Sequence, residues 1–160
     1  MPNTDLIATD PLVAHNFFLE IDGKIVTTLS GVSGIDMEIE VSSITQTGAD
    51  GKMQIVKTVG NQAKAPDLSI TRMSPVDATK DELWKWFNDI RDKGMAVATR
   101  TGKRKNGSVV IYDSSNVEVS RFNFYNGWPS KISVDAFSSD SNEAVKETIT
   151  ITCERLERVK

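Results

Sequence analysis

Short runs in which apolar and polar residues alternate, broken by turn dipeptides, dominate this chain. A period of two predicts β-strands with one buried face. In NFFLEIDGKIVTTL, Phe17, Leu19 and Ile21 share one parity and Asp22-Gly23 follows, so a hairpin is expected there. IDMEIEVSSITQTGADGKMQIVKTVG repeats the device on a larger scale around Asp50-Gly51. A third hairpin is expected to turn at Asn106-Gly107 into SVVIYD, and a fourth at DSSN into VEVSRFNFY. In RFNFYNGWPSKI the alternation runs into Asn126-Gly127, where a further turn is expected. The last run, EAVKETITITCERLERV, places Ile149, Ile151 and Cys153 on one face and Thr148, Thr150 and Thr152 on the other.

One segment, TKDELWKWFNDIRDKG, carries the helical period instead. Leu83, Trp86, Phe87 and Ile90 recur on one face, and Gly94 supplies a stop. Thr79 with Glu82 three residues later reads as a capping box, which predicts a helix over 80–93. Trp84 widens the apolar stripe and reads as packing on the sheet. The pattern as a whole predicts a mainly β, α+β fold. Its expected form is a two-sheet sandwich or barrel covered by one amphipathic helix, with no repeat and no domain boundary across 1–160.

Composition adds mostly exclusions. The chain has 160 residues, 39% hydrophobic and 26% charged, which is ordinary for a folded domain. A formal charge of −3 argues against specific nucleic-acid binding, which needs a basic face. The one dense basic run, RTGKRK, reads as a solvated hairpin end. No stretch approaches the roughly 18 apolar residues that span a bilayer, so no membrane anchor is expected. The opening residues lack the basic start and apolar run of an export signal, so cytoplasmic synthesis and folding are expected.

Candidate chemistry is sparse. His15 is the single histidine and Cys153 the single cysteine, too few for a three- or four-ligand zinc site or for a disulfide. No Gly-x-Ser-x-Gly elbow accompanies a serine. His15 therefore reads as structural and Cys153 as a small buried hydrophobe. Asp36, Glu38 and Glu40 share a strand parity, and their spacing is that of a wet sheet face. GVSG at 31–34 lacks the lysine of a phosphate loop. Neither catalysis nor a cofactor is indicated.

The long hairpin is the piece that needs explaining. Residues 36–44 alone reach about 30 Å when extended. SSITQTGADG, its outer half, is polar on both faces. A free two-stranded ribbon is marginal in water, and its unpaired edges invite other chains. It must fold back on its own sheet or find strands in neighbouring copies, closing a barrel across subunits.

FNFYNGWPSKI resembles the W-x-F-x-N-x-W-P-x-K stretch of the tail tube proteins of contractile phages and related contractile injection systems. Further pieces follow the same order. FFLEIDG precedes LSGVSGIDMEIE, which is similar to the family's F-x-E-x-S-G-L segment before its long hairpin. LSITR, LWKWF and GSVVIYD come next, and ETITITCERLER resembles the E-x-I-x-I-x-x-E-x-L ending. The resemblance spans about residues 13 to 158. Two departures stand out: Arg121-Phe122 replaces a common Trp, and NQAKAPDLSITRM lacks the flanking P-G and K-R-G.

The resemblance implies a single domain with a flexible arm at 1–12, an assembly hairpin at 35–60 and a helix at 80–93. It implies six-membered rings that stack into a tube, each subunit giving four strands to a barrel around the lumen. Further copies of itself, a contractile sheath protein, baseplate or tube-initiator and terminator proteins, and effector cargo in the lumen are the implied partners. Assembly is expected in the producing bacterial cell, within a phage-tail-like particle. In the hairpin, Asp36, Met37, Ile39, Val41, Ile44, Met53, Ile55 and Val59 are expected to join subunits. Glu38, Glu40, Ser42, Gln46, Lys57 and Thr58 are the lumen-facing expectations. Phe122, Phe124, Trp128 and Pro129 are expected to form a packing corner. With a charge of −3 per chain, a ring of six carries roughly −18. The competing reading is a monomeric carbohydrate- or peptide-binding sandwich with Trp84, Trp86 and Trp128 as a stacking platform. A third is an enzyme built on the acidic strand.

Overall fold

A computed structural model describes residues 16–98 and 100–160, so the expected arm at 1–12 and His15 lie outside the described residues. The first hairpin forms as its alternation requires, with β1 (Asn16–Ile21) and β2 (Lys24–Leu29) joined at Asp22-Gly23. After Ser30 the chain makes β3 (Gly31–Ser33), then the long pair β4 (Glu38–Thr47) and β5 (Met53–Lys64). β6 (Asp67–Met73), helix α1 (Glu82–Lys93) and the single turn α2 (Arg100–Lys103) follow. β7 (Lys105–Tyr112), β8 (Glu118–Val134), β9 (Lys146–Thr152) and β10 (Arg155–Arg158) complete the chain.

One antiparallel sheet runs β2-β1-β7-β8-β9-β6-β3, with β10 on the free edge of the first half of β8. The 17-residue β8 joins its two halves. Up to Gly127 it pairs with β7, and from Trp128 it pairs with β9. The expected turn at Asn126-Gly127 is therefore a bend within a continuous strand. Asn126 takes φ 52 there, and the ladder slips again between Pro129 and Lys131. Ser30 alone separates β2 from β3, and its N–H donates to the Thr71 carbonyl at 2.8 Å, so the sheet returns on itself as a flattened barrel.

Inside lie Leu19 and Ile21 from β1, Leu68 and Ile70 from β6, Phe124 from β8, and Ile149 and Ile151 from β9. Cys153 and Leu156 extend this core, and α1 closes it with Leu83 and Trp86. Phe87 and Ile90, on the same stripe, are half-buried.

Two local expectations are corrected. The helix is capped by Asp81, not Thr79: the Asp81 carboxylate accepts from the Trp84 N–H at 3.0 Å. Thr79 instead donates to Asp77, and Arg72 reaches from the sheet to hold Asp81 in the capping position. Asn106-Gly107 is not a turn either; both residues sit within β7. A Cβ on Gly107 would lie 2.4 Å from Phe124 Cζ and 2.6 Å from the Glu20 carbonyl oxygen. Glycine is there for close approach, not for a turn.

The basic run is likewise not a solvated hairpin end. It forms α2 and the start of β7, with Lys103 paired to Asp89, Arg104 to Glu154, and Lys105 over the Trp86 ring. The fourth hairpin does turn at 113–116, where Asp113 Oδ1 accepts from the N–H groups of Ser115 and Val117.

Candidate functional site: an unpartnered hairpin and its anchoring sheet

Among the described residues, β4 and β5 pair only with each other, as a separate two-stranded sheet, and every β4 residue is exposed. The turn is closed locally: the Gly48 N–H donates to the Lys52 carbonyl at 2.8 Å, and the Lys52 N–H to Asp50 Oδ1 at 3.1 Å. The ribbon leaves the barrel where β3 ends and rejoins it where β6 begins, through 34–37 and 65–66. Gly34 marks the junction with φ 75, and a Cβ there would meet the Asp67 carbonyl oxygen at 2.3 Å. No other residue fits that backbone approach.

Register divides the side chains, because directly opposed residues share a face. Val41 faces Val59, Thr45 faces Ile55 and Thr47 faces Met53. Ile39, Val41, Met53, Ile55 and Val59 thus form an apolar stripe, 62% to 76% exposed. On the other face Ser42 faces Thr58, Ile44 faces Val56 and Gln46 faces Gln54. Glu40 lies against Gly60 on that face, next to Ser42 and Thr58. Glu38 pairs with Lys64 at 3.6 Å, an exposed pair that contributes at most about 1 kcal/mol.

The two sets expected from sequence are therefore resorted. Lys57 opposes Ser43 and falls on the apolar stripe, apart from Ser42, Gln46 and Thr58. Ile44 falls with the polar set, and Asp36 and Met37 precede the strand. The ladder slips between Ile39 and Val41, a slip that sequence alternation alone does not reveal.

At the β8 bend, the Phe124 ring is fully buried between two glycines. A Cβ on Gly127 would lie 2.7 Å from Phe124 Cδ2, as one on Gly107 would meet its other edge. Pro129 is fully buried, while Phe122 and Trp128 pack on the rim of the core. The Arg104 guanidinium stacks 4.5 Å from the Trp128 ring centroid and is paired with Glu154, which accepts from Asn126 Nδ2 at 2.9 Å. Sequence reasoning singled out these aromatics but not the arginine that covers one of them.

The three tryptophans do not share a platform. Trp86 is 5% exposed and its Nε1 donates to the Lys103 carbonyl at 2.7 Å. Trp84 Nε1 donates to Glu147 Oε2 at 3.2 Å, and Trp128 lies under Arg104. Glu147 belongs to a buried network with Arg72 and Asp81 that sequence reasoning missed. Parity held the signal. Arg72 follows Leu68 and Ile70 on the buried face of β6, and Glu147 precedes Ile149 and Ile151 on that of β9.

A model of the T4-like virus tail tube protein gp19 family matches residues 13–157. No curated protein matches the chain. Among solved structures, it is similar to a chain in the sheath–tube complex of an extracellular contractile injection system, PVC, in its extended state. That likeness has TM-score 0.70 and 18% identity and covers 99% of this chain and 97% of that one. A chain in the baseplate of the anti-feeding prophage gives TM-score 0.73 at 14% identity, over 94% and 97%. Hcp1 from Flavobacterium johnsoniae gives 0.52 at 20% identity, over 91% and 95%. At such identities these likenesses speak for the fold.

Proposed function

The chain belongs to the T4-like virus tail tube protein gp19 family, and from that membership we propose that it is the inner-tube subunit of a contractile injection system. Six copies close into a ring, and rings stack into a hollow, rigid tube that a sheath drives through a target envelope. The role is mechanical, and no bond is made or broken.

The observation that carries this reading is the hairpin. An apolar stripe of Ile39, Val41, Met53, Ile55 and Val59 is exposed on a ribbon whose two edges have no strand partner among the described residues. Such a ribbon is marginal alone and complete only when other strands pair with its edges and another surface covers its stripe. The second face carries Glu40, Ser42, Gln46, Gln54 and Thr58 around the single apolar pair Ile44–Val56, and this mostly polar surface suits a water-filled bore. Heterologous contacts that close give rings, and those that do not close give filaments; a tube needs both kinds.

Partners follow from the assemblies that hold similar folds, which include a sheath–tube complex, a tube-terminating cap and a baseplate. Sheath protein on the outside, an initiator at the baseplate, a terminator at the far end and protein cargo within are the proposed set. Assembly takes place in the cytoplasm of the producing cell. The carbohydrate-binding reading loses support, since Trp86 is buried, Trp128 lies under Arg104 and Trp84 is tied through its Nε1 to Glu147.

Negative-stain electron microscopy with hydrogen exchange on the purified protein tests the reading. The expected result is rings or tubes with a central hole, and β4 and β5 amides protected from exchange. Monomers at every concentration, with freely exchanging hairpin amides, would overturn it.

A further inference from the structure

Exposed apolar side chains gather at a second place, the end of the sheet where β6 and β8 stop and β9 begins. Met73 closes β6 opposite Lys146, and Val134 closes β8 opposite Glu147. The loops that continue from them, 74–80 and 135–145, stay tied to the start of β9. The Ser74 N–H donates to the Val145 carbonyl at 2.9 Å, and the Asp135 N–H to the Lys146 carbonyl at 3.0 Å. Each loop also holds a turn of its own, closed by the Lys80 N–H on the Asp77 carbonyl and by the Ser141 N–H on the Ser138 carbonyl. Yet Val76 is fully exposed and Phe137 is 80% exposed, with Met73 at 61% beside them. Shaped loops that hold such side chains out in water present a contact surface. Asp135, Asp140 and Glu143 rim it, and none has a basic partner among the described residues.

The apolar stripe of the hairpin is the counterpart of this surface in chemistry and in sign. Lys57 shares the stripe's face with Ile55 and Val59, and it has no carboxylate partner among the described residues. A single chain does not bring the two surfaces together. The hairpin joins the sheet at the start of β6, whereas the loops lie past its other end, seven residues or about 20 Å away. The stripe is exposed in the single chain, so the hairpin does not fold back over that distance. Complementary patches at opposite ends of one molecule meet between copies, and a head-to-tail contact of that kind repeats from copy to copy. Deepening the tube reading, on which it rests, we infer that the hairpin of one copy lays its apolar stripe on the 74–80 and 135–145 loops of another. Val76 and Phe137 cover the stripe there, and Lys57 meets the acidic rim. The loops thus supply the covering surface that the hairpin lacks.

Mixed assembly of two singly substituted full chains tests the contact. Ile55→Cys and an isotopically labelled Phe137→Cys are assembled together and joined with a short bis-maleimide. Wild type, whose single thiol Cys153 is buried, is the background. Mass spectrometry should find the 55–137 product between chains of different isotopic label, in excess over either self-pair. Self-pairs in excess, or no 55–137 product in assembled protein, would overturn the inference. Phe137→Ser should melt like wild type, because the ring is exposed in the single chain. It should assemble only at about tenfold higher concentration in sedimentation velocity, since each contact loses a buried ring. Assembly of Phe137→Ser at the wild-type concentration would equally overturn the inference. Absence of any wild-type assembly would instead remove the tube reading, and this inference with it.

Discussion

Arg72 Nε donates to Glu147 Oε1 at 2.7 Å in a site where the two side chains are 3% and 0% exposed. The rest of the guanidinium forks onto Asp81, at 2.8 and 2.7 Å, so β6, β9 and the start of α1 share one buried charge network. Ser74 Oγ and Trp84 Nε1 fill the remaining acceptor positions of Glu147. Removing one partner of a buried pair strands the other charge, whereas replacing both with apolar groups is often near neutral. Glu147→Leu should therefore lose about 3–5 kcal/mol in urea denaturation. Arg72→Met combined with Glu147→Leu should recover only part of that loss, because Asp81 is then left without its guanidinium partner; adding Asp81→Asn should recover more.

The same network makes a pH prediction through Asp81. Burial pushes its carboxyl up, but hydrogen bonds from Arg72 and from the Trp84 N–H outweigh burial and hold it below its ordinary value of 3.8. The unfolded chain then binds the proton more readily than the folded one. The stabilisation is complete above that ordinary value and is lost as pH falls through the lowered folded value. Wild-type melting should thus hold steady from neutrality to mild acid and then decline. Asp81→Asn should start lower and decline less steeply. Parallel melting curves for the two proteins across the acid range would contradict this.

Phe124 and its two glycines give a packing prediction. Gly107→Ala places a methyl 2.4 Å from the Phe124 ring edge and 2.6 Å from a backbone carbonyl, and backbone does not yield cheaply. Overpacking of this kind costs about 1–3 kcal/mol. Adding Phe124→Leu should relieve only the ring clash, so the double variant should be no worse than the sum of the singles. Calorimetric melting of the four proteins measures the coupling.

The strand pattern, the first and fourth hairpins, the helix and the core parity of β6 and β9 were legible because burial on one face imposes a period that survives in sequence. Asn106-Gly107 misled because glycine serves turns and close approaches alike, and only the Phe124 ring, met through a later strand, distinguishes them. The cap lies at Asp81 and not Thr79 because Arg72, reaching from β6, holds the Asp81 carboxylate in the capping position, a contact that the local capping pattern does not announce. In the hairpin, the slip between Ile39 and Val41 depends on pairing register, which alternation leaves open, whereas the separation of adjacent Lys57 and Thr58 follows from alternation itself and was legible in the sequence. Arg104 over Trp128 joins residues from different elements, so no local pattern announces it.

The two faces of the hairpin should answer differently to charge. Ile55 and Val59 are 68% and 71% exposed in the single chain, so Ile55→Lys or Val59→Glu removes little from its own fold, within about 0.5 kcal/mol. In the proposed tube the same stripe would be covered, and a charge there would be buried without a partner, at a cost of several kcal/mol per copy. These variants should fold like wild type and fail to form rings in sedimentation velocity. Gln54→Glu, on the opposite face beside Gln46, should fold and assemble, because that face stays in water. Loss of assembly in Gln54→Glu with retention in Val59→Glu would exchange the faces, placing the apolar stripe in the bore.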